Sequence, residues 1–440
     1  MSHGPPDLTG VIEATPREVP SAVRIGSIAA MVVGAAAFGY GLATEPIAAK
    51  AAFVHNFIYF GAMSQGAMLF AIALMLSQGR WGRPLKRIAE GIGSFAPVAW
   101  LAFVVFLVLG GVDLYPWAHP EEDPMPAHKA VWLQPAFFIA RQFVGLGLLN
   151  LLGWQFRRAS LRADLGVAAK QLGTRAPAWW ARYTDGWKGE EEEREANVRA
   201  QMNLAPVFAI TYALTMSLLA VDVSMSLAPH WAANMFPAWF FMSSFYNGLV
   251  WIGMFSLLSR DWLGITFLLK GKVYHDLGKL TLGLCLFYAY TMFAQYLAIW
   301  YGNMTEETGF ILLRAELNPW APFAKLDILL CFLVPFGMLV NRSLKKIPSA
   351  YLTVTSVIAV GLWIDRFMQV FPSVWLHDTL PATLWIIDVG TAFLFLGALI
   401  FTVTRFLSRY PPVPINDPWM APHPDDVHVH PKAAHAAPAH

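Results

Sequence analysis

Long apolar stretches separated by short polar segments dominate the pattern of the chain from Ser21 to about Thr404. Each stretch has about 18 to 26 residues, enough for a helix rising roughly 1.5 Å per residue to cross a hydrocarbon core of about 30 Å. The pattern predicts an all-α, polytopic membrane protein with ten transmembrane helices. The predicted spans are Ser21–Gly41, Phe53–Leu76, Ile92–Gly111, Val131–Phe156, Leu204–Val221, Phe236–Leu258, Leu280–Tyr301, Ala321–Val340, Ala350–Phe371 and Leu384–Thr404.

Composition excludes a soluble domain. Hydrophobic residues make up 56% of the chain and charged residues only 14%, whereas a soluble surface needs roughly a quarter of its residues charged. The two cysteines, Cys285 and Cys331, both fall inside predicted spans. We therefore expect no disulfide, and two thiols are too few to hold an iron–sulfur cluster.

Lysine and arginine lie in alternate loops. They follow the second, fourth, sixth, eighth and tenth spans, whereas one of the intervening loops carries the acidic run Glu121–Asp123. Positively charged loops remain in the cytoplasm. The alternation therefore predicts a multi-pass topology with both termini cytoplasmic.

The polar segments divide the chain into a leader (1–20), the ten-helix domain (21–409) with a cytoplasmic insert at about 157–200, and a tail (410–440). The leader lacks the charge order of a cleavable signal. In the insert, we expect the acidic run Glu190–Glu193 to be a solvated helix face and Trp179, Trp180 and Trp187 to lie at the membrane interface. The Pro/His-rich tail, with histidines at 423, 428, 430, 435 and 440, is predicted to be mostly disordered.

The remaining histidines are placed outside the predicted membrane interior. A membrane-embedded haem needs axial ligands well inside a bundle, and c-type haem needs a Cys-x-x-Cys-His motif that the chain lacks. We therefore expect no metal centre in this chain. The predicted positions are outer loops for His119, His128, His230 and His377, an outer helix end for His55, an inner helix end for His275 and the leader for His3.

Ionisable residues inside spans are costly and mark candidate functional sites. Arg141 is predicted to lie roughly 15 Å deep in the fourth span. The others share the outer third of the membrane. They are Asp222, Lys325, Asp327, Asp365, Arg366 and Asp388. Two interpretations stay open for each: an ion pair that fixes helix packing, or a group that accepts protons.

Two further segments concentrate polar residues. His275, Asp276 and Lys279 lie where the seventh span leaves the cytoplasm, and Glu306 and Glu307 follow its outer end. Helix capping by Asp276 is the simpler interpretation, and a proton-conducting mouth is the functional one. Further along the seventh span, polar residues with helical spacing line one face of the helix. They are Tyr288, Thr291 and Gln295.

Four motifs together resemble the NrfD/PsrC-like quinone-interacting membrane subunits, and within them the ActF-type subunits of alternative complex III, a quinol:cytochrome c oxidoreductase. The motifs are His275–Lys279, Gln295–Thr308, the turn Met225–Trp231 containing His230, and Leu114–His119. The sequence departs from the family at Met304-Thr305, where an apolar residue and a proline are expected, and at His55-Asn56, where an aliphatic residue is usual.

The resemblance implies two four-helix bundles plus flanking helices in a bacterial inner membrane. It also implies a partner iron–sulfur subunit, c-type cytochrome subunits and a paralogous NrfD-like subunit. Menaquinol or ubiquinol would be the ligand, with no covalently bound or metal cofactor in this chain. Asp222, Asp365, Asp388, His230 and Arg141 would serve quinol or protons near the outer side. A proton path would use His275, Asp276, Lys279, Tyr288, Thr291, Gln295, Glu306 and Glu307.

Two other classes of function stay open. Ten spans with charges near one side could hold a solute, as in a secondary transporter, although no pair of Gly/Pro-interrupted spans matches between the two halves. The chain could also be a structural membrane anchor of a redox complex, with its buried charges serving helix packing.

Overall fold

The computed structural model describes residues 6–119, 127–375 and 377–420. Within these ranges, ten helices are long and apolar enough to cross a membrane, which makes the chain a multi-pass membrane protein. In chain order they are α1 Ser21–Thr44, α2 Pro46–Leu76, α3 Arg83–Val108, α4 Pro135–Arg175, α5 Glu190–Leu227, α6 Phe236–Ser259, α7 Gly271–Gly302, α8 Ala321–Val340, α9 Pro348–Val374 and α10 Ala382–Arg409.

Consecutive helices run in opposite directions, so the bundle has two ends. We name the end that carries the loop 77–82, the loop 260–270 and the segment after Arg409 the basic end. The other end, which carries the loops after α3, α5 and α7, is the opposite end. Whether the basic end faces the cytoplasm stays a prediction of the charge pattern.

Several helices extend beyond their predicted spans. α2 begins at Pro46 rather than Phe53, and α3 begins at Arg83 rather than Ile92. The added turns carry polar side chains, so they were excluded from spans that were predicted from continuous apolar residues. Arg83 and Lys86 are nevertheless buried, because other parts of the chain supply their partners.

The helices pack as two groups of four with a flanking pair. α2 to α5 contact one another in the first group, and α6 to α9 do so in the second, while α1 and α10 pack against each other and against α2. The groups meet where α2 crosses α6. There Gly66 lies against the backbone of Ser244, and Gly248 lies against the backbone of Gly66 and Ala67. Small residues permit such close helix packing in membranes.

Three of the membrane helices contain a π turn, in which the backbone hydrogen bonds skip one extra residue. The π turns are Phe57–Gly61 in α2, Ala220–Ser224 in α5 and Leu329–Leu333 in α8. A buried ionisable residue lies inside or close to each: His55, Asp222 and Asp327 respectively. The irregular turns therefore coincide with three of the buried polar positions of the bundle.

The predicted insert forms a small cap on the basic end. Trp180 is 1% exposed and packs with Leu161, Leu165 and Ile12 in a separate hydrophobic cluster, so the interface prediction is wrong for this tryptophan. Trp187 packs against Gly166 of α4.

The acidic run also differs in part from its prediction. Glu190, Glu191 and Glu192 are exposed, but Glu193 is buried. It accepts two hydrogen bonds of 2.8 Å from Arg162.

Residues 410–420 of the predicted tail are folded against the basic end, so the predicted disorder does not include them. Asp417 binds the Arg83 guanidinium at 3.0 Å and the Lys86 ammonium at 3.1 Å, and the Trp419 ring covers Arg83. The backbone amides of Ile415 and Asn416 donate to Asp164. The tail histidines from 423 onward lie outside the described residues.

Candidate functional site: a cavity with two carboxylates

A cavity of about 470 Å³ lies between α6, α7, α8 and α9 in their opposite-end half. The short helix Thr305–Ala315 covers it at that end. Its volume is within the range of small-molecule sites, and most of its walls are apolar. The lining residues are Phe236, Trp239, Ala289, Met292, Phe293, Gln295, Tyr296, Phe310, Ile311, Arg314, Ala315, Ala324, Asp327, Ile328, Phe332, Asp365, Met368 and Gln369.

Two carboxylates meet at the inner wall of this cavity. The Tyr288 hydroxyl lies 3.0 Å from Asp365 Oδ1 and 3.2 Å from Asp327 Oδ1. One hydroxyl carries one proton and can donate it to only one carboxylate at a time. Asp327 lies two residues before the π turn of α8, and Asp365 lies about 14 Å from the end of α9.

Arg366 partly balances this carboxylate pair. Its Nη1 lies 3.3 Å from Asp365, while its Nη2 donates to Ser243 and Ser244 of α6. Two carboxylates thus face one guanidinium in a buried setting. A single shared proton would make the group neutral, which favours proton exchange at this position.

A short hydrogen-bonded chain connects the carboxylates to α5. Gln369 donates to Asp365 at 3.0 Å, and Ser224 donates to Gln369 at 3.2 Å. Ser224 belongs to the π turn that also contains Asp222. The cavity is therefore linked by polar side chains to the opposite end of the bundle.

Arg314 holds the covering helix in place. Its guanidinium donates to the Met368 carbonyl oxygen and to the Ser373 hydroxyl of α9, and it lies over the Phe310 ring. The cavity cover is thus attached to the helix that carries Asp365.

Asp222 is held in a separate site between α4 and α5. Arg141 donates to both of its carboxylate oxygens, at 3.0 and 3.1 Å, and Gln142 and Trp132 donate as well. Because α4 begins at Pro135, Arg141 lies about 9 Å into the helix rather than roughly 15 Å. The arrangement matches the ion-pair interpretation.

Asp388 is placed in a third site, against His55. His55 was expected at an outer helix end, but α2 begins at Pro46, so His55 lies about 14 Å inside the helix and is fully buried. The prediction of a helix-end position for His55 is therefore wrong. The acids predicted as one outer group are divided among three sites.

The motif at the basic end of α7 does not cap the helix. α7 begins at Gly271, and Asp276 instead lies 3.2 Å from His275 and accepts a hydrogen bond of 3.0 Å from Lys279. Lys345 packs against Gly278 beside this motif. Lys345 lies in the loop between α8 and α9. Its burial and the nearby Lys279 charge lower its pKa.

The predicted polar face of α7 points into the bundle at Tyr288 and Thr291, which are buried. Thr291 donates to carbonyl oxygens of its own helix, and Gln295 lines the cavity.

The loop residues of the predicted site lie apart from the cavity. Glu306 is exposed and Glu307 is half-buried, both in the first turn of the covering helix. Carboxylates favour this position because of the helix dipole. His230 is exposed in the loop after α5.

Sequence reasoning named Asp365 and Asp327 but not their meeting at one hydroxyl. Nor did it find Gln369, Ser224 or the covering role of Arg314. The four-residue spacing of Asp365 and Gln369 was a usable signal, because it places both on one helix face.

Among the described residues, no group of three or more His, Cys, Asp or Glu side chains could hold a metal ion. No family model and no curated protein matches the chain.

Proposed function

We propose that this chain is an integral membrane subunit of a quinol:cytochrome c oxidoreductase of the alternative complex III type, in a bacterial inner membrane. One observation carries the proposal: an apolar cavity whose inner wall presents Asp327 and Asp365. A quinol has an apolar ring and tail with two hydroxyl groups, so it fits walls that are apolar except for proton acceptors. The motif resemblance points to the same class.

The carboxylates would act as bases on the quinol hydroxyls. Oxidation of one quinol to quinone releases two protons and two electrons. Asp327 and Asp365 accept the protons, and Gln369 and Ser224 lead toward the opposite end. The electrons pass to an iron–sulfur cluster or haem on a partner subunit.

A filled cavity tests the ligand site. In the assembled complex, Met368→Trp should lower quinol-dependent cytochrome c reduction at least about tenfold, because the larger ring occupies the cavity beside Asp365. Leu286→Trp adds the same ring on an exposed face of α7 and should leave turnover unchanged. Equal turnover in both variants would contradict a quinol site here.

The carboxylates need a separate test. Asp365→Asn and Asp327→Asn should each lower turnover by about 10²-fold or more, the usual range for a lost general base. Assembly is followed by co-purification of the haem subunits. If both variants assemble and keep full turnover, the cavity carboxylates take no part in quinol oxidation.

Partners supply a third test. A tagged chain extracted in mild detergent should co-purify an iron–sulfur protein, c-type haem absorbance and a second, similar polytopic chain. If the chain is instead purified as a homo-oligomer that binds a small polar solute, it is a secondary transporter and the proposal is wrong. If the complex assembles and its turnover is unchanged in every cavity variant, the chain is a structural membrane anchor.

A further inference from the structure

His55 and Asp388 form a buried contact that the proposed quinol chemistry does not use. His55 Nδ1 and Asp388 Oδ1 are 2.8 Å apart, and both side chains are 0% exposed. The pair joins α2 to α10 just before the π turn of α2. Burial of a histidine and a carboxylate at this depth favours the form in which their charges are balanced within the pair.

The other ring nitrogen determines how many protons the pair holds. Nε2 of His55 lies 2.9 Å from the Trp363 carbonyl oxygen, which can only accept a hydrogen bond. Nε2 therefore carries a proton. An imidazole protonated only at Nε2 has a lone pair at Nδ1, so the contact with Asp388 needs one further proton. That proton belongs either to an imidazolium or to a carboxylic acid, and the pair is neutral in both forms.

Asn56 fixes the carboxyl group from the other side. The Trp363 indole N–H donates to Asn56 Oδ1 at 3.1 Å, so the Asn56 amide nitrogen must face Asp388, where it donates to Oδ1 at 3.2 Å. Asp388 Oδ2 is buried and has no hydrogen-bond partner among the described residues. The carboxyl group thus has one stabilised oxygen and one oxygen open to a further donor.

The pair lies within electrostatic reach of the cavity carboxylates. The rings of Trp363 and Phe367 pack against His55, and Asp365 lies two residues from each of them in the same helix, close enough for charges in a buried setting to interact. Arg366 is the other charged residue of α9. The remaining ionisable residues of the neighbouring helices are Lys50 and Tyr59 on α2, Arg24 and Tyr40 on α1, Tyr351 on α9, and Arg405 and Arg409 on α10.

We propose that His55 and Asp388 form a proton-holding site whose single labile proton is exchanged when the charge of Asp365 changes. A negative Asp365 favours the proton on the pair by Coulomb attraction. When Asp365 takes a proton from quinol, that attraction is lost and the pair releases its proton to solvent at the opposite end. Only this link to quinol rests on the proposed function.

Infrared spectroscopy of the full-length chain in lipid nanodiscs tests the pair itself. A pH titration should show an absorption change of a carboxyl or imidazole group that is lost in both Asp388→Asn and His55→Gln. Asp388→Glu should restore it. Asp113→Asn removes an exposed carboxyl paired with Lys50 and should leave the change in place. If the change persists in both pair variants, the contact is only a helix clamp.

Quinol addition to the complex tests the coupling. The proposal expects quinol to change the same absorption in the wild type and in Asp388→Glu but not in Asp388→Asn. If the pH titration identifies the pair but quinol never alters it, the proton site stands and its coupling to Asp365 is wrong. If quinol neither binds nor is oxidised, the proposed function fails while the titration result is unaffected.

Discussion

Asp222 illustrates how the bundle keeps a carboxylate inside. Four side-chain donor groups from Arg141, Gln142 and Trp132 reach its two oxygens. Such a set occupies lone pairs on both oxygens and leaves few for a substrate. We therefore assign Asp222 to packing, in contrast to the carboxylates at the cavity wall.

Asp222→Asn should weaken the fold rather than the chemistry. The substitution leaves the Arg141 guanidinium without its counter-charge, and loss of a hydrogen bond between charged groups costs about 2 kcal/mol. Thermal unfolding of the purified chain should show a lower midpoint. Asp113→Asn, at an exposed pair with Lys50, should change stability by less than about 1 kcal/mol. If Asp222→Asn unfolds normally but the complex loses quinol oxidation, Asp222 takes part in the reaction.

At the scale of elements, the first turns of α3 depend on the segment after α10. Arg83 and Lys86 point into the basic end, where Asp417 supplies their shared carboxylate. Burial raises the pKa of Asp417, but the charges of Lys86 and Arg83 outweigh it and hold the pKa below its usual value. The start of one helix is thus completed by residues more than 300 positions away in the chain.

The depressed pKa sets the pH dependence of this attachment. Because the folded-state pKa of Asp417 lies below the unfolded value of roughly 3.9, the stabilisation is complete above that value. It is lost as the pH falls through the lower folded value. Proteolysis near Tyr410 should therefore be equally slow from about pH 5 to 8 and faster only in stronger acid.

Truncation separates this segment from the rest of the tail. A chain ending at Tyr410 loses the carboxylate shared by Arg83 and Lys86 and the Trp419 ring that covers Arg83, so it should unfold at a lower temperature than the full-length protein. A chain ending at Met420 keeps the contact and should unfold like the full-length protein. Similar unfolding of both truncated chains would show that the attachment contributes nothing to stability.

Helix number followed from sequence because each apolar run is long enough to span a bilayer. The residues at which helices begin could not be predicted in the same way. Arg83 and Lys86 have the character of loop residues, and they are helical and buried because Asp417 neutralises them. The three-site division of the acids was also beyond the sequence, since the partner of Asp388 is His55 and that of Asp222 is Arg141. Such pairings depend on which helices touch, not on local pattern.

On the scale of the whole molecule, the contact between α2 and α6 holds the two helix groups together. Gly248→Ala would place a Cβ against the backbone of Gly66 and Ala67, and backbone cannot move aside as a side chain can. The variant should lose about 1–3 kcal/mol through overpacking. Gly283→Ala, which meets nothing within 4 Å on α7, should be neutral or stabilising. Detergent melting curves of the two variants provide the comparison.

Orientation of the whole bundle is tested by fusion reporters. The charge alternation predicts that a reporter after Pro126 is periplasmic and one after Arg175 is cytoplasmic. Alkaline phosphatase and green fluorescent protein fusions at both positions give complementary signals. A cytoplasmic signal at position 126 would reverse the sidedness of the cavity and of both termini.

The π turn beside His55 has a consequence for sequence length. It accommodates one residue more than a regular α-helix would, and one residue corresponds to a rotation of about 100° around the axis. Deleting a single residue such as Ile58 would restore the regular hydrogen-bond ladder without that rotation, because the π turn absorbs the extra residue within one wider turn. His55 would then still face Asp388. A deletion in the regular part of α2 would instead rotate one part of the helix against the other and separate the proton-holding pair.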